Sequence, residues 1–309
     1  MLTFVGRRFL QMIPTLLGVA IFTFLLMRFI PGDPTTLLGQ TISEDVRAQL
    51  RAEWHLDDPI HKQFFHYAKG IPFLDFGSSM SKDRPVRELL LEAFKNTAYL
   101  AVAAFFLAVT LGLSIGIVSA LLKDTWFDRA LMVGALVGIS TPVFVAGVLL
   151  IIVATAIGWR HLSGTGPGDT VDLRFLVLPA VTLGSRSIAY LARMTRSSVL
   201  EVSQADFLRT ARAKGLSERT VVLKHLLKNA MIPIITIIGL SLADYLTGAI
   251  LTESLFQWPG IGSLVRNAIL TRDLPVIMGT VLFTTFVFII MNFVVDLLYG
   301  FFDPRIRYS

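Results

Sequence analysis

The sequence contains no cysteine in 309 residues. Disulfides, thiolate metal sites, iron–sulfur clusters and a cysteine nucleophile are therefore excluded. Charge is scarce too: Asp, Glu, Lys and Arg make up 16 %, where a soluble domain carries roughly 25 %. No Gly-x-x-x-x-Gly-Lys-Ser/Thr run occurs, nor any Gly-Lys pair, so the chain lacks the phosphate cradle of a P-loop hydrolase. Histidines number five, and His55, His61 and His66 share one stretch. Their spacings of six and five match no common ligand pattern. They are read as surface residues, with no metal site.

What is present is apolar surface. Hydrophobic residues account for 54 % of the chain, and mean hydropathy is +0.67. Six runs approach the length a bilayer core requires: Phe9–Ile30, Ala98–Leu122, Leu131–Gly158, Phe175–Ala192, Met231–Thr252 and Val276–Val295. The first starts after Arg7 and Arg8 and ends in Pro31-Gly32-Asp33-Pro34. Its apolar core is too long for a cleavable signal, so an uncleaved signal anchor is expected.

Lys and Arg orient the spans. With the N-terminus inside, the cytoplasmic segments hold fourteen bases, eight of them within 193–230, against four in the two short external loops. The long loop 31–97 holds eight more, but long loops translocate largely regardless of charge. Both termini are then cytoplasmic. The net charge of +6 is an inside-facing bias, and no nucleic-acid signature accompanies it.

The chain divides at this level into 1–30 (a cytoplasmic start and first span), an external loop 31–97, and a five-span core 98–309 that includes the cytoplasmic loop 193–230. Short external helices are expected at Val46–Trp54 and Val86–Phe94. Loop 193–230 reads as two short helices. Ser203 caps the first with Asp206 in the manner of a capping box, and Phe207, Leu208 and Ala211 share one face. Gly215 supplies the positive φ that ends it. Ser217 caps the second, which carries Val221, Val222 and Leu226 and ends at Asn229. Two uses fit: a pair of interfacial helices on the headgroups, or a knob for a cytoplasmic partner that Ala211, Ala213 and Gly215 allow to approach closely.

Inside the membrane, Asp244 costs roughly 2.5–3.5 kcal/mol on insertion scales and should face a cavity or a partner. With Thr247 it marks the translocation pathway in one reading, and a structural bond between helices in the other. Arg186 is read as structural, snorkelling toward the cytoplasm. Gly112-x-x-x-Gly116 and Gly134-x-x-x-Gly138 suit close helix crossings. Pro142 kinks the third span and is a candidate hinge. Glu253 and the run Phe256–Ile261, with Trp258, Pro259 and Gly260, form a candidate external gate or a surface turn anchored by Trp258.

Loop 193–230 resembles the "EAA" loop of bacterial ABC importer permeases, Glu-Ala-Ala-x-x-x-Gly followed by a second helix. Arg209 and Thr210 stand at the Glu and first Ala. The run 206–215, Asp-Phe-Leu-Arg-Thr-Ala-Arg-Ala-Lys-Gly, and His225 through Asn229 to Pro233 have the form of the dipeptide/oligopeptide/nickel branch. Ile30–Pro34, Asp75–Ser79, Arg193–Ser198, Phe256–Gly262 and Val295–Gly300 agree with it in order along almost the whole chain.

The resemblance implies an all-α, six-span type I importer permease in the bacterial inner membrane. Its partners would be a second permease, two cytoplasmic ATPases that carry ATP and Mg, and an external substrate-binding protein, with lipid around it. Arg209, Thr210, Ala211, Arg212, Lys214, Gly215, His225 and Asn229 would couple it to the ATPases. The cargo would be di- or oligopeptides, glutathione or nickel. The chain itself would have no cofactor and no catalytic residue. A secondary transporter or channel, which favours inverted repeats or several intramembrane ionisable groups, is the contrasting reading.

Overall fold

A computed structural model of the chain describes residues 2–29, 48, 51, 57–159, 173–246 and 250–302. Among these residues every extended element is a helix. Contacts divide the chain into two units, Met1–Thr97 with Pro259–Phe293, and Ala98–Trp258 with Val294–Ser309.

In the first unit, α1 (Leu2–Phe29) meets the external helix α2 (Ile60–Gly70) through aromatic rings. Phe24 lies edge-on to Phe64 at 5.4 Å and stacks on Tyr67 at 5.8 Å. The expected helix Val86–Phe94 is not a separate element. It is the start of α3 (Val86–Leu121), 36 residues long, because no Gly or Pro interrupts the chain before Gly112. Val46–Trp54 lies outside the described residues except at positions 48 and 51. Val86, Leu90, Ile261, Val276 and Phe283 make one core, which joins the start of α3 to α10 (Ile261–Thr271) and α11 (Leu274–Phe302). Between α10 and α11, buried Asp273 accepts from Ser79 Oγ (2.5 Å), Ser81 N–H (3.0 Å) and Ser81 Oγ (2.8 Å). Burial alone would raise its pKa, but these donors carry it below the ordinary carboxylate value. The external stretch 79–81 is thereby fastened to the foot of α11.

The second unit is organised around α6 (Val177–Ser203), which packs on α4 (Trp126–Ser140), α5 (Val143–Ala156) and α8 (Leu227–Leu246). The glycine pair on α3 sets its crossing with α6. A Cβ at Gly112 would come within 2.6 Å of Leu191 Cβ, and one at Gly116 within 2.5 Å of Thr195 Cβ and 2.6 Å of Ala192 O. The pair on α4 does this only in part. Gly138 approaches Ala189, while nothing lies within 4 Å of a Cβ at Gly134.

Pro142 does more than kink the third span. α4 and α5 meet at 114°. Thr141, pushed out of helical geometry by the following proline, is extended at φ −82°, ψ 125°. Pro142 then caps α5 at φ −57°, ψ 138°. Among the described residues, three helices (Val86–Leu121, Arg174–Ser203 and Leu274–Val295) are long and apolar enough to cross a bilayer, and two bent pairs satisfy the same test. With α1 the number is consistent with six spans.

Candidate functional site

The cytoplasmic loop is mostly an extension of its neighbouring spans. α6 runs on past Ala192 to Ser203. Ser203 is therefore inside a helix, where its hydroxyl donates back to Leu200 O at 2.7 Å. The expected cap is absent, and Ala205 occupies the N-cap of α7 (Asp206–Ala213) instead. On the far side, Ser217 does cap the next turn and accepts from Thr220 N–H at 3.4 Å. That turn, Glu218–Thr220, opens into a π-helix, Val221–Leu226, and then into α8. Asn229 does not end this helix; its side chain donates to His225 O at 2.6 Å and the helix continues. Pro233 lies inside α8, at a break of 46°.

Within the loop, α7 and the turns on either side of it are the part that does not continue a span helix. Its C-terminus is a complete Schellman motif. Gly215 sits at φ +76°, Gly215 N–H donates to Arg212 O (2.9 Å) and Leu216 N–H to Ala211 O (3.4 Å). Arg212 then reaches across the turn to Glu218, with its Nε 2.7 Å from Oε1. The guanidinium holds the Glu218 carboxyl below its ordinary range.

α7 has two faces. Leu208 and Ala211 are buried with Ala120, Val199, Val221, Leu226 and Ala230. Ala211 thus does not offer a small surface to a partner, as its size suggests, but lets α7 lie close on its own chain. Phe207 leaves the face it was expected to share and is exposed. Arg209, Thr210, Arg212, Ala213, Lys214 and Gly215 all point outward as a basic cap, with Asn229 exposed and His225 half-buried behind it.

One junction beneath this element is absent from the sequence reading. Asp128, 2 % exposed, receives Arg196 Nε on Oδ1 and Nη2 on Oδ2, both at 2.6 Å. Ser119 Oγ also donates to Oδ1, and Asp124 N–H to Oδ2 at 3.1 Å. The visible signal is modest. Thr125 caps α4 and accepts from Asp128 N–H, which puts an acid in the first turn.

The remaining candidates are dispersed. Asp244 lies exposed on apolar α8, within electrostatic reach of Arg186, and Thr247 is outside the described residues. In the second unit, Glu253 and Phe256 flank the end of α9 (Ile250–Leu255). Glu253, Phe256 and Trp258 are all essentially fully buried. Phe256 packs with Ala154 and Leu178, and Trp258 with Leu100, Ala104 and Ala180. In the first unit, Pro259 O accepts from Asn96 Nδ2 at 2.9 Å, and Gly260 caps α10. The run contains the buried Trp258 anchor expected of it, with Phe256 as a second. His61 and His66 are exposed, and His55 lies outside the described residues.

Residues 112–308 match the family described as binding-protein-dependent transport system inner membrane component, and residues 1–101 match its N-terminal companion. The chain belongs to this family. It is 43 % identical to the glutathione transport system permease protein GsiC of Salmonella choleraesuis, and each chain is covered completely. It is 39 % identical to the di/tripeptide transport system permease protein DppB of Pseudomonas aeruginosa, again over the whole of both. Among solved structures, two inward-facing crystal forms of the MetNI methionine ABC transporter share its fold. Their TM-scores are 0.53 and 0.55, at 15 and 17 % identity, over 70 % of this chain and 97 and 96 % of those chains. The molecule is therefore a multi-pass inner-membrane permease of the peptide-type ABC importer branch. The reading as a secondary transporter or channel is set aside. Nucleotide hydrolysis belongs to the ATPase subunits of such importers, alongside a partner permease and a binding protein.

Proposed function

We propose that this permease forms half of a translocation pathway for di- or oligopeptides, or for a small peptide-like solute such as glutathione. An external binding protein delivers the solute, and two cytoplasmic ATPases holding ATP and Mg drive the cycle. The full-length likeness to permeases named for glutathione and di/tripeptide transport supports that cargo class over nickel.

The observation that carries the coupling assignment is the two-faced form of α7. Its inner face, Leu208 and Ala211, is seated in the protein's own core. Its outer face, Arg209, Thr210, Arg212, Lys214 and Gly215, is exposed. A helix held by its own chain on one side and open on the other transmits a push instead of absorbing it. An ATPase seated on that basic cap would move α6 and α8 directly, because α6 and the 218–246 segment are the continuations of the loop. Alternating access follows if the bundle has two packings. His225 and Asn229 border the same surface. Asp244 and Thr247 are assigned to the pathway, where a carboxylate would meet a peptide's amino group. Glu253, Phe256, Trp258, Pro259 and Gly260 are assigned to the external gate.

The test is affinity capture of the complex from membranes, followed by reconstitution and ATP hydrolysis screened across dipeptides, longer peptides, glutathione and nickel. Two ATPase chains per complex and stimulation by a peptide-type solute are expected. Recovery of this chain alone, or stimulation by nickel only, overturns the coupling or the cargo assignment respectively. Gly215→Pro should assemble yet lose uptake, whereas a bulky residue at Ala211 overfills the core beneath α7 and should lower stability as well.

A further inference from the structure

We infer that the Asp128–Arg196 ion pair is a positioning joint that makes the cytoplasmic end of α3, the base of α4, and the α6–α7 lever move as one body. Motion delivered to α7 would then reach the α4–α5 corner at Pro142. This rests on the coupling assignment proposed above.

Four elements converge on one carboxylate. Asp128 is in the first turn of α4, Ser119 is on α3, Asp124 is in the connecting turn, and Arg196 is on α6. All four lone-pair directions are taken by donors, and the arginine binds through two parallel N–H groups. A fork of that kind fixes orientation as well as distance. The residue is buried, so pulling the charges apart would leave a carboxylate without compensation. Sliding is blocked as well. One residue before Arg196, Thr195 lies against Gly116 with no room for a Cβ, so α3 and α6 touch almost at the backbone.

From Arg196 the lever is short and continuous. α6 runs on to Ser203, α7 starts at Asp206, and α7 returns its Leu208 and Ala211 to Ala120 at the end of α3. Ser198 Oγ donates to Ala230 O at 2.8 Å and holds α8 to the same body. α4 leaves this body directly and runs to the 114° corner. A tilt of α7 therefore appears at Pro142 as a rotation of α4. If α3, α4 and α6 could shift separately, the push would be lost within the helix ends.

The experiment uses the complete complex in proteoliposomes, with uptake and ATP hydrolysis measured together. Arg196→Met with Asp128→Asn removes both charges and so avoids an unpaired buried ion. It is expected to assemble and to hydrolyse ATP while moving about fivefold less solute per ATP, the lower end of usual coupling effects. Arg196→Lys, which keeps the charge but not the fork, is expected to fall in between. The chain has no cysteine, so spin labels at Arg129→Cys and Glu201→Cys, both exposed, report on the joint with the ion pair intact. Their separation should be the same in nucleotide-free and ATP-bound complexes. A separation that changes between the two states, or an unaltered ratio of uptake to hydrolysis in the double variant, overturns the joint. A wild-type complex that neither hydrolyses ATP nor takes up solute overturns the coupling assignment itself.

Discussion

Among the described residues, two aspartates are almost fully buried, at 2 % exposure for Asp128 and 1 % for Asp273, and the protein treats them differently. Asp128 is met by an opposite charge, Arg196, held in a fork. Asp273 is met by neutral donors, two serine hydroxyls and a backbone N–H. The first arrangement ties together helices far apart in sequence. The second fastens an irregular external stretch to a helix start. A pair of opposite charges is strong only while both are present. A cage of neutral donors loses strength in steps, as each bond goes. The cytoplasmic site should therefore fail abruptly and the external one gradually.

The largest expected effect is Arg196→Met. It strands a buried carboxylate and should cost about 3–5 kcal/mol, read as a drop in thermal unfolding temperature of the purified permease. Asp128→Asn, which strands no carboxylate, should cost less. If the two single variants fall equally, the abruptness assigned to the cytoplasmic site is wrong.

Asp273→Asn should cost about 1–3 kcal/mol through loss of charge-assisted bonds. Its pH dependence separates it from any packing effect. The folded pKa of Asp273 lies below the unfolded value. The stabilisation is thus complete above the unfolded pKa of about 3.9 and is lost as pH falls through the folded value. The gap between wild type and Asp273→Asn should be flat from pH 5 to 8 and close in more acid solution. A gap that persists there would mean the carboxylate charge is not what Ser79 and Ser81 hold.

These sites also mark how far the sequence could be read. Span number and orientation follow from apolar length and basic residues, because burial in lipid is a property of a segment alone. The Gly215 turn was legible for the same reason: a positive φ is a local demand. Helix ends beyond the lipid were not. Hydropathy stops at Ala192, but α6 continues to Ser203 because Val199 has a core to enter. The inward turn of Ala211 was hidden, since a small residue suits a partner's approach and a tight internal contact equally. The depth of the break at Pro142 was underestimated, because Thr141 had to leave the helix as well. Asp128 was invisible as a site. Its partner is 68 residues away, and nothing in the spacing joins a connector acid to one of eight bases in the loop.

Two glycines carry the contrast into packing. A Cβ added at Gly116 would come within 2.5 Å of Thr195 Cβ and 2.6 Å of the carbonyl of Ala192, atoms fixed by the backbone of α6. A Cβ added at Gly279 would come within 2.8 Å of Val86 Cγ1 and 3.0 Å of Phe76 Cδ2, both parts of side chains. A methyl at Gly116 can be admitted only by separating two helices at the very level of the ion pair, whereas one at Gly279 needs a rotation of Val86 or a tilt of the Phe76 ring. Overpacking of the first kind costs about 1–3 kcal/mol. Alanine also favours a helix over glycine by up to about 1 kcal/mol, which offsets part of either penalty. Gly116→Ala should therefore lower the unfolding temperature measurably and also weaken uptake, because it opens the same joint. Gly279→Ala should leave the unfolding temperature nearly unchanged. Equal losses at the two positions would show that the cytoplasmic crossing is as yielding as the external core, and the rigidity assigned to it would have to come from the charges alone.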